Sequence, residues 1–433
     1  MKLLKIVKLS ECSQKEREAL LKRSELDVDS VIPNVAEIIS DVRKGGDKAL
    51  LMYTERFDGV KSSVDKLRVS EREFLLAFRK LDTATMKAIK IAAEAIKKFH
   101  LKQLPQEWVA QLAPGIKAGQ LVRPLESVGV YVPGGLARYP SSLLMAAIPA
   151  RVAGVGSIIV CTPPGKDGKV DDAVLVAAKV AGVDAVFKVS GAQAIAAMAY
   201  GTGAVPKVDK IVGPGNVYVA AAKQVVVTKV DIDFVAGPSE VLVIADESAE
   251  PRFIAADLLS QAEHDAYAAA VLVTTSEELA SKVQELVEEM LKENPRRGVM
   301  LKALKNYGRI VVVRDLNEAI EFANAYAPEH LELMAKQARR LLKRVKNAGS
   351  IFVGAYSPVA AGDLAVGPNH ILPTGGAAKR RSGLSVLDFV KLPTVQELSK
   401  QGLKRVAGIV EQLAEVEGLP GHARSIKERS RKA

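Results

Sequence analysis

From residue 127 onward the chain alternates short apolar runs with stretches of helical periodicity, and this alternation restricts the possible fold more than any other feature. It predicts strands at 128–133, 158–161, 185–189 and 210–212, and helices at 141–153, 173–181, 193–200 and 217–227. Ser141 is placed as the N-cap of the first helix. The strand runs are short and apolar throughout, the pattern of parallel strands buried on both faces. The alternation then restarts, with strands at 241–245, 271–274, 310–313, 331–333 and 351–353. Pro251 suits the first turn of a helix between the first two, and the Thr-Ser-Glu-Glu stretch at 275–278 reads as a capping box opening the next. The expected fold class is α/β: two tandem open, mainly parallel Rossmann-like units with helical N-terminal and C-terminal extensions. The boundaries fall at 1–120 for a mainly helical N-terminal region, 121–235 and 236–383 for the two units, and 384–433 for a helical tail. The restart suggests a structural duplication without a clear residue-level repeat.

A chain of 433 residues is too long for one ordinary core, which agrees with two units. The net charge of +11 invites an anionic partner, but the basic residues are dispersed and aromatics are only 5%, so the stacking platforms of a nucleic-acid groove are missing. Lys379, Arg380 and Arg381 and the tail from Lys427 to Lys432 read as solvated surface. No apolar run is long enough to span a bilayer, and the start lacks the pattern of a signal peptide, so no membrane partner and a cytoplasmic location are expected. Two cysteines make neither a disulfide framework nor a cysteine zinc site, and Cys161 reads as a small buried sulfur at a strand end rather than a nucleophile. Helices are expected at 34–53 and 71–102, with His100 and Trp108 as packing residues.

The chemistry-bearing residues gather in the turns. Gln261 and His264 stand three apart at the end of the helix opened by Pro251 and project to one side. Imidazole nitrogen and amide oxygen can serve zinc, though Q-x-x-H by itself is equally a polar helix end. Glu329 and His330 follow Pro328 at a strand entrance, an arrangement fit for acid–base work or for a solvent-facing pair. Glycine-rich turns at 133–135, 213–216 and 237–239 let backbone N–H groups approach a phosphate, yet no G-x-G-x-x-G follows any strand. Asp363 and His370 lie in a Gly- and Pro-rich stretch at 357–383, outside regular elements. A helical segment at 394–413 and a short loop at 417–422, holding His422, precede the tail. In open α/β sheets, ligands bind at the carboxyl ends of strands.

Taken in order, the motifs at 213–216, 236–240, 257–265, 327–332, 362–374 and 417–422 resemble those of the histidinol dehydrogenases, and the likeness runs from about Val128 to the C-terminus. The resemblance implies a zinc- and NAD-dependent four-electron oxidation of L-histidinol to L-histidine through L-histidinal, the last two steps of histidine biosynthesis. By that resemblance Gln261, His264, Asp363 and His422 match ligands of one Zn2+ per subunit, which in the family also holds the substrate. Glu329 and His330 match the acid–base pair; Ser239, His370 and Glu417 match substrate contacts; Tyr131, Gln193 and Asn216 match NAD+ contacts. The first unit then carries the cofactor and the second the metal and acid–base residues. A homodimer is implied in which the tail, with Glu417 and His422, completes the partner's active site. Leu364, where an aromatic is common, and Gly203-Ala204, at a usually acidic spot, depart from the pattern in surrounding packing. The rival is a zinc hydrolase acting on an amide or phosphate, which would turn over without NAD+.

Overall fold

The computed structural model describes residues 2–23, 27–134, 139–235 and 237–431. Gly135 of the first glycine-rich turn, Ala236 and the final Lys432 of the basic tail lie outside the described residues. The first unit is a parallel sheet of Ser127–Tyr131, Ser157–Thr162, Ala185–Lys188, Lys210–Val212 and Asp231–Ile232. In space these run third, second, first, fourth, fifth. The second sheet holds Glu240–Ala245, Ala269–Thr274, Arg309–Val312, His330–Met334 and Ser350–Val353 in the same spatial order. The suspected duplication is thus visible as repeated topology.

Each strand feeds two cores, because successive side chains leave opposite faces. Val128 and Val130 enter one apolar cluster, while Tyr131 enters another with Ile159 and Cys161. In the second sheet Val241, Val243 and Ala245 join one cluster and Leu242 and Ile244 the other. Both faces are covered by helices, which is why most of the strands carry no polar alternation; His330–Met334, with His330 and Glu332 buried on one face, is the exception. The N-terminal helix Ile32–Gly45 covers one face of the first sheet through Val35 and Ile39, and Glu71–Lys80 and Thr83–Leu101 cover the other through Phe74 and Ile96. No helix among the described residues is long and apolar enough to cross a membrane.

Several local expectations give way to the structure. Residues 1–120 are not helical at their ends. Lys5–Lys8 is a parallel strand added to the second sheet beside Arg309–Val312, its two central residues, Ile6 and Val7, apolar between flanking lysines. Trp108–Ala113 and Ile116–Gln120 form an antiparallel sheet with Thr394–Leu398, so the segment expected as helix from 394 opens as a strand. Trp108 is 52% exposed on that sheet rather than packed, whereas His100 is fully buried. Tyr139, not Ser141, is the N-cap residue of Pro140–Ala153; proline supplies the preset φ of the first turn. Ser276 caps Glu277–Leu291 by accepting from Leu279 N at 3.1 Å, without the box read at 275–278. Asp363 lies in a short helical turn, Gly362–Val366, rather than an irregular loop. The loop expected at 417–422 is shorter, because Pro420 opens a second C-terminal helix, Pro420–Ser430, directly after Lys400–Val416.

Candidate acid–base and metal site

His330 is the first residue of its strand, in register with Val241 on one side and Ser350 on the other. The acid–base pair therefore sits at the amino edge of the second sheet, not at the carboxyl edge where open α/β sheets usually bind ligands. Glu240, at the start of the neighbouring strand, uses both main-chain groups to hold the pair. Its N–H donates to Glu329 Oε2 at 2.8 Å, and its carbonyl accepts from His330 Nδ1 at 2.9 Å. A carbonyl can only accept, so Nδ1 carries a proton in either state of the ring, and in the neutral ring Nε2 is the acceptor. Nε2 is buried without a hydrogen-bond partner and faces Asp363 Oδ1 at 3.6 Å. Glu329 Oε2 stands 3.5 Å from Nδ1.

The electrostatics follow from this crowding. Burial pushes the Glu329 carboxyl up to about 8, with the charge of His330 pulling the other way. Burial alone would strip His330 of its proton, but the Glu329 and Asp363 carboxylates more than reverse that and raise the imidazole to about 9. The residue type alone suggests a value near neutrality; two carboxylates account for the difference. Burial likewise works to raise Asp363, yet the His330 ring holds it below the usual carboxylate range. His370 donates from Nδ1 to the Asp363 carbonyl at 3.0 Å and lies 3.3 Å from Ser142 Oγ through Nε2; burial lowers its pKa and keeps it neutral.

Gln261 is buried on the last turn of Pro251–Ala262, and its Nε2 has no hydrogen-bond partner. His264 follows just beyond the helix. Its residue surface is exposed, but enough atoms crowd the ring that burial lowers its pKa, with Asp363 close enough to oppose the shift. Among the described residues, no group of three or more His, Cys, Asp or Glu is arranged to hold a metal ion. One chain offers two such side chains, His264 and Asp363, and the orphaned Gln261 amide. Glu417 and His422 are not brought to them by this chain. Both are exposed at the junction of the two C-terminal helices, which pack on each other, the first also meeting Thr394–Leu398. Ser239 stands immediately before the strand that begins with Glu240, half-buried.

The three expected cofactor residues share a different place. Tyr131, Gln193 and Asn216 line one cleft of about 1320 Å³ at the carboxyl edge of the first sheet, which Glu329 and His330 do not reach. Tyr131 Oη accepts from Gly191 N at 3.1 Å, and burial pushes its phenol up to about 12. Gln193 donates to Ser190 Oγ at 3.0 Å and leaves its Oε1 buried without a partner. Asn216 caps Val217–Val226 by accepting from Tyr218 N and Val219 N.

Sequence reasoning missed the groups that hold these loops. Asp233 accepts from Gly213 N at 2.8 Å and from Lys223 Nζ at 2.6 Å, a buried pair that fixes the turn before Asn216. Gly213 has φ +110° there, and a Cβ would meet Tyr131 O at 2.1 Å, so only glycine fits. Arg23 pairs with the buried Glu240 carboxylate and lies 3.7 Å over the Tyr326 ring. Neither a lone lysine in an apolar helix nor a glutamate opening a strand announces such a role, beyond being a charge where charge is costly.

Cys161 is fully buried, and burial drives its thiol far above the ordinary range. Cys161→Ala should keep most of the wild-type turnover, measured on folded protein, and the native thiol should resist alkylation. Loss of turnover in a folded, metal-loaded variant would restore a chemical role for the sulfur.

Two topologically equivalent α/β units, one edged by an open cleft and the other by a buried cluster of an imidazole and carboxylates, place the chain among α/β proteins built of paired Rossmann-like units. The histidinol dehydrogenase family model matches residues 21–430. A histidinol dehydrogenase from Methanothermobacter thermautotrophicus is 52% identical over 98% of this chain and 100% of its own length. One from Methanopyrus kandleri is 52% identical over 96% of this chain and 98% of its own. The crystal structure of histidinol dehydrogenase from Elizabethkingia anophelis superposes with a TM-score of 0.96 at 38% identity, covering 100% of this chain and 99% of that one. The chain belongs to the histidinol dehydrogenase family.

Proposed function

We propose that the protein catalyses the zinc- and NAD-dependent oxidation of L-histidinol to L-histidine through L-histidinal, closing histidine biosynthesis in the cytoplasm. The observation that carries this reading is His330, with Nδ1 committed to a carbonyl and Nε2 buried and unpartnered. An alcohol becomes a hydride donor as its hydroxyl proton leaves, and Nε2 is the acceptor for that proton. The raised basicity of His330 strengthens it in this role once the ring is empty. Glu329, held at one oxygen by Glu240 N, serves the second half, in which the aldehyde must add water before it loses another hydride. Tyr131, Gln193 and Asn216 are assigned to NAD+, which accepts the hydride in each half. The unpartnered Gln193 Oε1 in that cleft supports a polar ligand there.

Gln261, His264 and Asp363 fit a zinc ion in donor type: a neutral imidazole, an ionised carboxylate and a buried amide whose oxygen can ligate. The partner subunit's His422 would be the fourth ligand. Bound zinc would orient the substrate through its imidazole and amine. Ser239 and His370 are assigned to the substrate, with Glu417 of the partner subunit. His264→Ala should abolish tight zinc binding; full zinc occupancy of the folded variant by metal analysis would refute the ligand assignment.

A further inference from the structure

Two acidic side chains behind the site have no part in the chemistry above. Glu332 is 1% exposed on the strand His330–Met334. It leaves the same face of the sheet as His330, toward the helix Pro251–Ala262, because Leu331 and Leu333 pack on the opposite side and Met334 on this one. Its Oε1 accepts from Val359 N at 2.9 Å, and Val359 opens the turn that carries Asp363. Its Oε2 is buried without a donor. Asp257 faces it from the helix, one turn before Gln261. Two ionised carboxylates have no proton to offer each other and repel. With one proton between them the contact becomes a charge-assisted O–H···O bond. The environment favours that proton: burial raises Glu332 to about 8, with Asp257 adding to it, and burial raises Asp257 to about 6.

We infer that Asp257 and Glu332 share one proton and act as a positioning pair, clamping together the helix that carries Gln261, the strand that carries His330 and the turn that carries Asp363. The pair touches no substrate. It sets the spacing of the proposed ligands through three segments that are far apart in sequence, as outer partners of metal ligands do. The inference rests on the zinc-site reading of Gln261, His264 and Asp363.

The test is a competition of zinc between the full-length dimeric protein and chelators of graded affinity, with kcat and KM measured alongside. Wild-type protein is measured first, and failure to hold zinc there removes the metal reading itself. Given a zinc-binding wild type, Glu332→Gln should hold zinc about as tightly, since an amide donates to Asp257 and accepts from Val359 N without needing the shared proton. Glu332→Ala should weaken zinc binding by roughly 10- to 100-fold, and Asp257→Ala, at a partly exposed position, should do so too and stands in if Glu332→Ala fails to fold. Rescue by the amide separates a shared proton from mere filling of space. The clamp is overturned if the alanine variants hold zinc as the wild type does, or if Glu332→Gln loses as much as Glu332→Ala.

Discussion

Histidinol oxidation by His330→Ala is expected to fall by about 10²–10⁴, the usual worth of a positioned general base. Folding and zinc content should be unchanged, because His330 is not among the proposed ligands. The expectation rests on the fixed tautomer: the Glu240 carbonyl takes Nδ1–H, so only Nε2 can receive the hydroxyl proton. Glu329→Gln divides the two half-reactions. It should slow oxidation of supplied histidinal more than oxidation of histidinol, since only the aldehyde step consumes a water. Stopped-flow measurement of NADH formation from each substrate provides the comparison, and equal losses in both would refute the division of labour between the two residues.

Activity regained on mixing two inactive variants is the second large effect. Within one chain, Glu417 and His422 are exposed on helices that pack away from Gln261, His264 and Asp363. The exposed side chains of Ile409, Leu413 and Val416 leave the same segment with apolar surface uncovered. A dimer with exchanged tails resolves both observations, and exchange of an identical element is a low-cost route to closed dimers. His264→Ala and His422→Ala should each be inactive alone. In a mixed dimer one site then carries both defects and the other neither. With random pairing half the dimers are mixed, so about a quarter of wild-type activity should return after co-refolding in equal amounts. If each site is built from one chain, every site keeps a defect and no activity returns.

The central strands of both sheets could be read from the sequence because they are short runs apolar on two faces that alternate with longer helical stretches. The edge elements could not. Lys5–Lys8 is four residues of mixed polarity whose partner lies some three hundred residues away. Thr394–Leu398 has exposed side chains and runs straight into a helix, so its β-branched start was outweighed by the helical pattern that follows. At the site, the residue types at 261, 264, 329, 330 and 363 announced a polar chemistry. Their arrangement did not follow from spacing, because Asp363 reaches His330 by tertiary packing. The place of the site was also hidden. The rule of carboxyl ends holds for the cleft at Tyr131 and Asn216 but not for His330, which enters its strand where the rule expects nothing. Glu240 was least visible of all, since its contribution is two backbone groups and a buried carboxylate paired with Arg23.

The most direct test of the whole account is a single assay of purified protein with L-histidinol and NAD+, followed at the NADH absorbance band with and without a zinc chelator. The account predicts two NADH for each histidinol consumed, because a four-electron oxidation releases two hydrides. It also predicts loss of that signal on chelation and its return on adding zinc. Consumption of histidinol without NADH, or undiminished NADH formation from protein shown to be free of metal, would contradict it.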